Sequence, residues 1–158
     1  MAEGGETYFL DTSAVVKLYH QELGSEVVEE WAEDLSRELW ISELTRAEFH
    51  SVFVRKVREG QLSEEALQAV LESFHEDCLQ RFQLVPSVDD LVDRVITVLL
   101  NQGKQFPLRT LDAWQIAAAQ AVPRTEVTFV SADRKQLTVA ATLFPRTINP
   151  ELAVARQV

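Results

Sequence analysis

The sequence predicts an α/β fold with a mostly parallel central sheet flanked by helices on both faces. Three observations predict it. Short segments rich in β-branched and aromatic residues alternate with longer segments of helical periodicity along the whole chain, the pattern of strand–helix–strand crossovers. Two strand-like segments run into small hydroxyls and an acid, Leu10-Asp11-Thr12-Ser13 and Val130-Ser131-Ala132-Asp133, and open parallel sheets bind ligands at that carboxyl edge. The 158 residues contain no internal repeat, low-complexity tract or linker, so one domain over residues 1–158 with a sizeable core is expected.

The elements follow in order. Residues 7–10 read as the first strand, and Thr12 as the N-cap of a helix from Ser13 to about His20 with Ala14, Val15, Leu18 and Tyr19 on its apolar face. Gly24-Ser25 breaks it, and a second helix runs from Glu26 to Leu35. Glu38 to Ser42 is a second strand. A third helix spans Glu43 to Glu59, with its apolar residues spread over more than one face, Glu48 among them, and Arg55, Lys56 and Arg58 in its last turns where the helix dipole favours cations. Gly60 stops it, and Ser63 caps a fourth helix with Glu64 and Glu65 in its first turn, forming a hairpin with the third. Phe82 to Val85 is a third strand, closed by Pro86. Ser87 opens a helix whose stripe of Val88, Leu91, Val92, Val95, Ile96 and Leu99 is the clearest amphipathic signal in the chain, and Gly103 ends it. A loop over residues 105–109 leads to Thr110 and an alanine-rich helix ended by Pro123, whose small side chains permit close packing on a sheet. Glu126 to Val130 is the fourth strand, a short helix carries Leu137, Val139 and Ala140, and Arg146 to Asn149 is an edge strand. The tail after Pro150 is weakly specified.

Composition narrows the classes. No apolar run approaches the roughly 20 residues of a membrane helix, and the acidic residues 1–6 lack a hydrophobic region, so they are expected to be a flexible leader and not a signal peptide. The single cysteine, Cys78, rules out an internal disulfide and a cysteine-rich metal site. It falls in an apolar helical register, as a buried structural thiol would, and a reducing, cytoplasmic setting is expected. The net charge of −10 argues against broad adhesion to nucleic acid. It is compatible with nucleic-acid chemistry at a carboxylate cluster that a divalent cation neutralises.

Four acids stand out by position. Asp11 and Asp133 lie at equivalent strand-to-helix junctions of one sheet edge, Asp112 begins the alanine-rich helix, and Glu48 is the acid in the apolar part of the third helix. Each also has a structural reading: helix-start electrostatics for Asp112, a helix cap for Asp133, a loop contact for Asp11 and a distant ion pair for Glu48. Two acids at one edge make a shared site the better account. Like charges raise one another's pKa, so such a cluster calls for a counter-charge. Hard oxygen ligands without cysteine point to Mg²⁺ or Mn²⁺, one ion or two. Metal there activates water and stabilises charge on a phosphate in an in-line displacement. Ser13 and Ser131 are small hydroxyls at the same junctions, suited to hold a carboxylate, a water or a phosphate oxygen, or to cap a helix.

The motifs resemble those of PIN domains. Leu10-Asp11-Thr12-Ser13-Ala14-Val15-Val16-Lys17-Leu18-Tyr19 is similar to the family's opening motif, Ser42-Glu43-Leu44-Thr45-Arg46-Ala47-Glu48-Phe49 to its second-acid segment, Leu111-Asp112-Ala113 to its third and Val130-Ser131-Ala132-Asp133-Arg134 to its fourth. The likeness covers nearly the whole chain in the family's order, and the compact length looks most like the VapC-type toxins of toxin–antitoxin pairs. It implies a PIN-like three-layer fold and a metal-dependent endoribonuclease that cuts RNA at an acidic metal site of Asp11, Glu48, Asp112 and Asp133, with Ser13 as a polar member. It also implies a homodimer and a small antitoxin that blocks the site. Trp114 departs from the smaller aliphatic residue of many relatives, which bears on the shape of the substrate groove.

Arg46, Arg55, Lys56, Arg58, Arg109, Arg134 and Lys135 are candidates for phosphate contact or plain surface charges, with Arg109 and Arg134 adjoining Asp112 and Asp133. His20, His50 and His75 are scattered, and Trp31 and Trp40 suit the core or an interface. Walker, dinucleotide-binding and nucleophile-elbow motifs are missing. An aspartyl phosphatase would carry an acid at position 13, where Ser13 stands, and a receiver domain an acid pair at an earlier strand end. The alternatives kept open are a non-catalytic PIN-like binding module, its acidic pocket holding structural metal or a partner's basic tail, and an RNA-processing factor.

Overall fold

The computed structural model describes residues 5–154. Among them five strands, β1 (Thr7–Leu10), β2 (Glu38–Ser42), β3 (Phe82–Val85), β4 (Thr128–Val130) and β5 (Arg146–Ile148), form one sheet in the order β3-β2-β1-β4-β5. Every pairing is parallel, so the mostly parallel sheet expected is wholly parallel here. Its helices are α1 (Thr12–Val15), α2 (Ser25–Glu33), α3 (Glu43–Arg58), α4 (Glu64–Gln80), α5 (Asp89–Gln102), α6 (Thr110–Ala121), α7 (Arg134–Ala140) and α8 (Pro150–Val154).

Strand β1 is buried throughout, and its alternation sorts the core into two halves. Tyr8 and Leu10 point into a cluster with Val28 of α2, Phe49 and Phe53 of α3 and Phe74 of α4. Phe9 points the other way, into a cluster with Leu91 and Val95 of α5, Ile116 and Ala117 of α6 and Val139 of α7. A parallel sheet covered on both faces needs such unbroken apolar strands, and the result is a three-layer α/β/α sandwich. The rings of Phe49 and Phe74 stack with centroids 3.8 Å apart, joining α3 to α4. Truncating either ring is expected to cost about 3–5 kcal/mol, the range for buried aromatics.

The chain runs outward from β1 to β2 and β3, then returns to β4 on the other side of β1. The switch in direction therefore lies between the carboxyl ends of β1 and β4. In sheets of this kind that is where ligands bind.

Several boundaries differ from the sequence reading for local reasons. The cap of α1 is Asp11, not Thr12: the Asp11 side chain accepts the Ala14 N–H, while the Thr12 hydroxyl serves the side chain of Glu48. That helix tightens into a 3₁₀ turn over Val16–Leu18 and stops short of His20. Helix α2 ends at Glu33, leaving Leu35 exposed. Gly24, at φ +90°, precedes α2 and lies so close to Pro150 that a Cβ would meet its carbonyl carbon at 2.9 Å, which lets α8 pack on α2. Helix α3 buries one stripe, Thr45, Phe49 and Phe53, and not several faces. Ser87 does not cap α5; Val88 holds that position without a side-chain bond. Half of the α5 stripe, Val88, Val92 and Ile96, is exposed. Strand β4 begins at Thr128, two residues later than expected, and Pro150–Val154 form α8, the rest of the tail lying outside the described residues.

The α3–α4 hairpin turns at Gly60, φ +73°, as expected. Trp31 is a core residue, Trp40 packs on the second cluster, and Cys78 is a half-buried free thiol. Of the leader expected over residues 1–6, Met1 to Gly4 fall outside the described residues. Glu6 accepts hydrogen bonds from Tyr8, Arg37 and Arg146. Among the described residues no helix is long and apolar enough to cross a membrane.

Candidate active site

Asp11 directly follows β1 and is 3% exposed. Its Oδ1 accepts from the Ser13 hydroxyl at 2.6 Å and the Ala14 N–H at 3.1 Å, and its Oδ2 accepts from the Ser131 hydroxyl at 2.6 Å. Burial pushes this carboxyl from its ordinary value of 3.8 up to about 6; the three hydrogen bonds pull it down and the nearby charge of Glu48 adds to the rise. Ser13 also accepts the Ala132 N–H at 2.9 Å, and Ser131 accepts the Asp133 N–H at 3.0 Å. The two serines thus lace the β1 and β4 junctions together around one carboxylate.

The other acids arrive from three helices. Asp133 caps α7, its Oδ1 accepting from the amides of Lys135 and Gln136, so its expected structural role is real. Asp112, in the first turn of α6, pairs with Arg109 Nε at 3.0 Å. Glu48 projects from α3, and its Oε1 accepts from Gln115 Nε2 at 2.7 Å and the Thr12 hydroxyl at 2.9 Å. Asp11, Ser13, Glu48, Asp112 and Asp133 line one cavity of about 120 Å³ together with Thr12, Gln115 and Gln136. All five site residues expected from the sequence therefore meet.

Each carboxylate has its own local partner: hydroxyls for Asp11, the start of α7 for Asp133, a guanidinium for Asp112, an amide and a hydroxyl for Glu48. Among the described residues no three Asp, Glu, His or Cys groups stand close enough to form a ready-made metal cage. Mg²⁺ does not need one, because it keeps several waters and binds through one or two carboxylates plus substrate phosphate. An all-oxygen donor set of four carboxylates around one cavity fits such a cation.

Grooves open on both sides of the cavity. One, about 650 Å³, shares Thr12, Ser13 and Glu48 with it and carries Lys17, Arg55 and Lys56 beside Leu44 and Val52. The other, about 760 Å³, shares Asp112 and Asp133 and carries Arg109, Arg134 and Lys135. Of the basic residues singled out in the sequence, Arg46 and Arg58 line neither groove. None of the three histidines lines the cavity. Trp114 packs on the second core cluster and does not line the cavity or either groove, so its bulk does not bear on groove shape as expected.

The PIN domain family model matches residues 8–141, most of the chain and all four acids. The chain belongs to the PIN domain family. Solved structures share its fold at low identity. PAE2754 from Pyrobaculum aerophilum is 21% identical with a TM-score of 0.67, over 99% of this chain and 97% of that one. VapBC-1 from nontypeable Haemophilus influenzae is 18% identical at 0.60, over 91% and 98%. VapC20 of Mycobacterium tuberculosis, described as a Sarcin-Ricin loop cleaving toxin, is 14% identical at 0.62, over 87% and 95%. No curated protein matches the chain.

Sequence reasoning missed Thr12, Thr45, Gln115 and Gln136 as members of this PIN domain's site. Thr45 and Gln115 carried a signal: each stands one turn from an acid, Thr45 before Glu48 and Gln115 after Asp112, hence on the same helix face.

Proposed function

We propose that this PIN domain is a metal-dependent endoribonuclease, the toxin of a toxin–antitoxin pair. One observation carries the reading: four carboxylates from four different elements line a single small cavity at the switch point of the sheet. Asp11, Glu48, Asp112 and Asp133 would hold Mg²⁺ or Mn²⁺, which supplies an activated water and charge stabilisation on the phosphate. Ser13 and Ser131 keep Asp11 in place. Arg55 and Lys56 in one groove and Arg134 and Lys135 in the other suit the backbone of a single RNA strand laid across the cavity.

The likeness to VapC20, described as a Sarcin-Ricin loop cleaving toxin, supports a nucleic-acid substrate, for which we take RNA, and the likeness to a toxin–antitoxin complex from Klebsiella pneumoniae supports a small antitoxin partner. The groove beside Glu48, with apolar Leu44 and Val52 next to Arg55 and Lys56, suits an amphipathic antitoxin segment that would cover the acids. The exposed line of Val88, Val92, Ile96 and Leu100 on α5, spaced one turn apart, suits a second copy of the chain in a homodimer. A cytoplasmic setting accords with the free thiol.

A binding module without turnover is the second reading, and the observation in its favour is that each of the four acids already has a protein partner of its own. Cleavage of a mixed RNA pool with Mg²⁺, Mn²⁺ or EDTA separates the two. The expected result is cation-dependent cleavage, lost in Asp11→Asn and in Asp112→Asn. Well-folded, partner-free protein that binds cation and cuts nothing would favour the module. Cleavage surviving both substitutions would put the site elsewhere.

A further inference from the structure

Gln115 is 3% exposed, and its amide nitrogen faces three acceptors: Glu48 Oε1 at 2.7 Å, Thr45 Oγ1 at 3.0 Å and Thr12 Oγ1 at 3.1 Å. The Thr12 and Thr45 hydroxyls lie 3.1 Å apart, and Thr12 also donates to Glu48 Oε1. A primary amide has two N–H bonds and each hydroxyl one. The protons are all used if Thr45 donates to Thr12, Thr12 to Glu48, and Gln115 to Glu48 and Thr45. Two donors then converge on one oxygen of Glu48. Turning the amide over would set its oxygen against the carboxylate, so the orientation follows from chemistry. That orientation leaves Gln115 Oε1 buried without a partner. Such an orphan is unfavourable, and an apolar side chain at this position would avoid it.

We infer that Gln115, together with Thr12 and Thr45, is the positioning device for Glu48: it ties Oε1 and leaves Oε2 for the cation in the acid cavity. The inference rests on the metal-dependent reading above. It explains why a polar amide, with one oxygen unsatisfied, stands inside an otherwise alanine-rich helix face.

The test is calorimetric titration of Mn²⁺ into wild type, Gln115→Met, Thr45→Val, Glu48→Gln and the Gln115→Met/Glu48→Gln double variant, with steady-state RNA cleavage beside it. Gln115→Met and Thr45→Val should weaken Mn²⁺ binding by roughly tenfold to a hundredfold, the usual effect of losing a partner of a metal ligand. At subsaturating Mn²⁺ kcat should fall by a similar factor while KM for RNA stays put, and kcat should recover as Mn²⁺ is raised. In the Glu48→Gln background Gln115→Met should add nothing. Thr45→Val keeps the shape of the side chain and carries the same expectation if Gln115→Met does not fold. Folded variants that bind Mn²⁺ as wild type does overturn the positioning role and leave the metal-centre reading standing. Wild type that binds no Mn²⁺ overturns that reading, and this inference with it.

Discussion

Asp11 and Ser131 lie 120 residues apart in sequence and are joined by a hydrogen bond of 2.6 Å between the serine hydroxyl and Asp11 Oδ2. The backbone repeats the connection, with the Asp11 N–H donating to the Val130 carbonyl at 3.0 Å. The bond therefore ties the carboxyl ends of β1 and β4 where the sheet changes direction. It also holds a buried carboxylate that the fold alone disfavours, since burial raises its pKa more than the hydroxyls lower it.

The first prediction follows from that imbalance. Asp11 titrates at about 6 in the folded chain against an ordinary 3.8, so between those values the native state binds more protons than the unfolded one. Stability then falls as pH rises through this window, by about 3 kcal/mol at about 1.4 kcal/mol per pH unit. Asn at this position carries no charge, and Ser131 can turn its hydroxyl to accept from the new amide. Asp11→Asn should therefore be more stable than wild type at pH 7 in EDTA by about that amount, with the gap closing below pH 4. Urea unfolding of both proteins at several pH values measures the difference, and parallel curves would refute it. The variant expected to be inactive is thus expected to be the sturdier one, as when an active site is held at a cost in stability.

The layout of the sheet was legible because parallel strands buried on both faces announce themselves as short apolar runs, and β1, β2 and β3 match their expected bounds residue for residue. Asp11 and Asp133 were legible because junctions between strands and helices are few and an acid at such a point is conspicuous. The cap of α1 was not, because Asp11 and Thr12 are both good caps and only the position of Glu48 decides which side chain is free for the helix. Arg81 was illegible for a similar reason. In sequence it is one more surface base after α4, yet it binds carbonyls about 50 residues upstream. Long-range partners of this kind leave no local pattern.

Arg81 supplies the second prediction. Its guanidinium donates to the carbonyls of Ala32 at 2.8 Å, Trp31 at 3.1 Å, Asp34 at 3.1 Å and Arg37 at 3.2 Å. It thereby closes the end of α2 and the turn into β2. Arg81→Met should lower stability by roughly 2–4 kcal/mol, because charge-assisted bonds are lost and carbonyls left short of donors. Arg81→Lys should recover only part, since an ammonium lacks the planar fork that reaches several acceptors. Urea midpoints at pH 7 test both, and a lysine variant equal to wild type would show that charge alone suffices. Arg81 lines neither the cavity nor the grooves, so activity per folded molecule should hold.

The third prediction concerns how an acidic protein holds a polyanion. With a net charge of −10, the RNA binding proposed above would have to come from local bases, and the two grooves beside the cavity carry candidates: Arg55 and Lys56 on one side, Arg134 and Lys135 on the other. A strand laid across the acids would touch both sets. Each neutralised phosphate of a single strand contributes about 0.7 to the slope of log affinity against log salt. Arg55→Ala/Lys56→Ala and Arg134→Ala/Lys135→Ala should each raise KM for RNA and reduce that slope by roughly 1.4, two contacts' worth, with little change in kcat. The measurement is KM across a salt series for wild type and the two paired variants. A slope altered by only one pair would confine the strand to that groove, with its end at the acids. A slope altered by neither would remove the grooves from RNA binding and leave them to a protein partner.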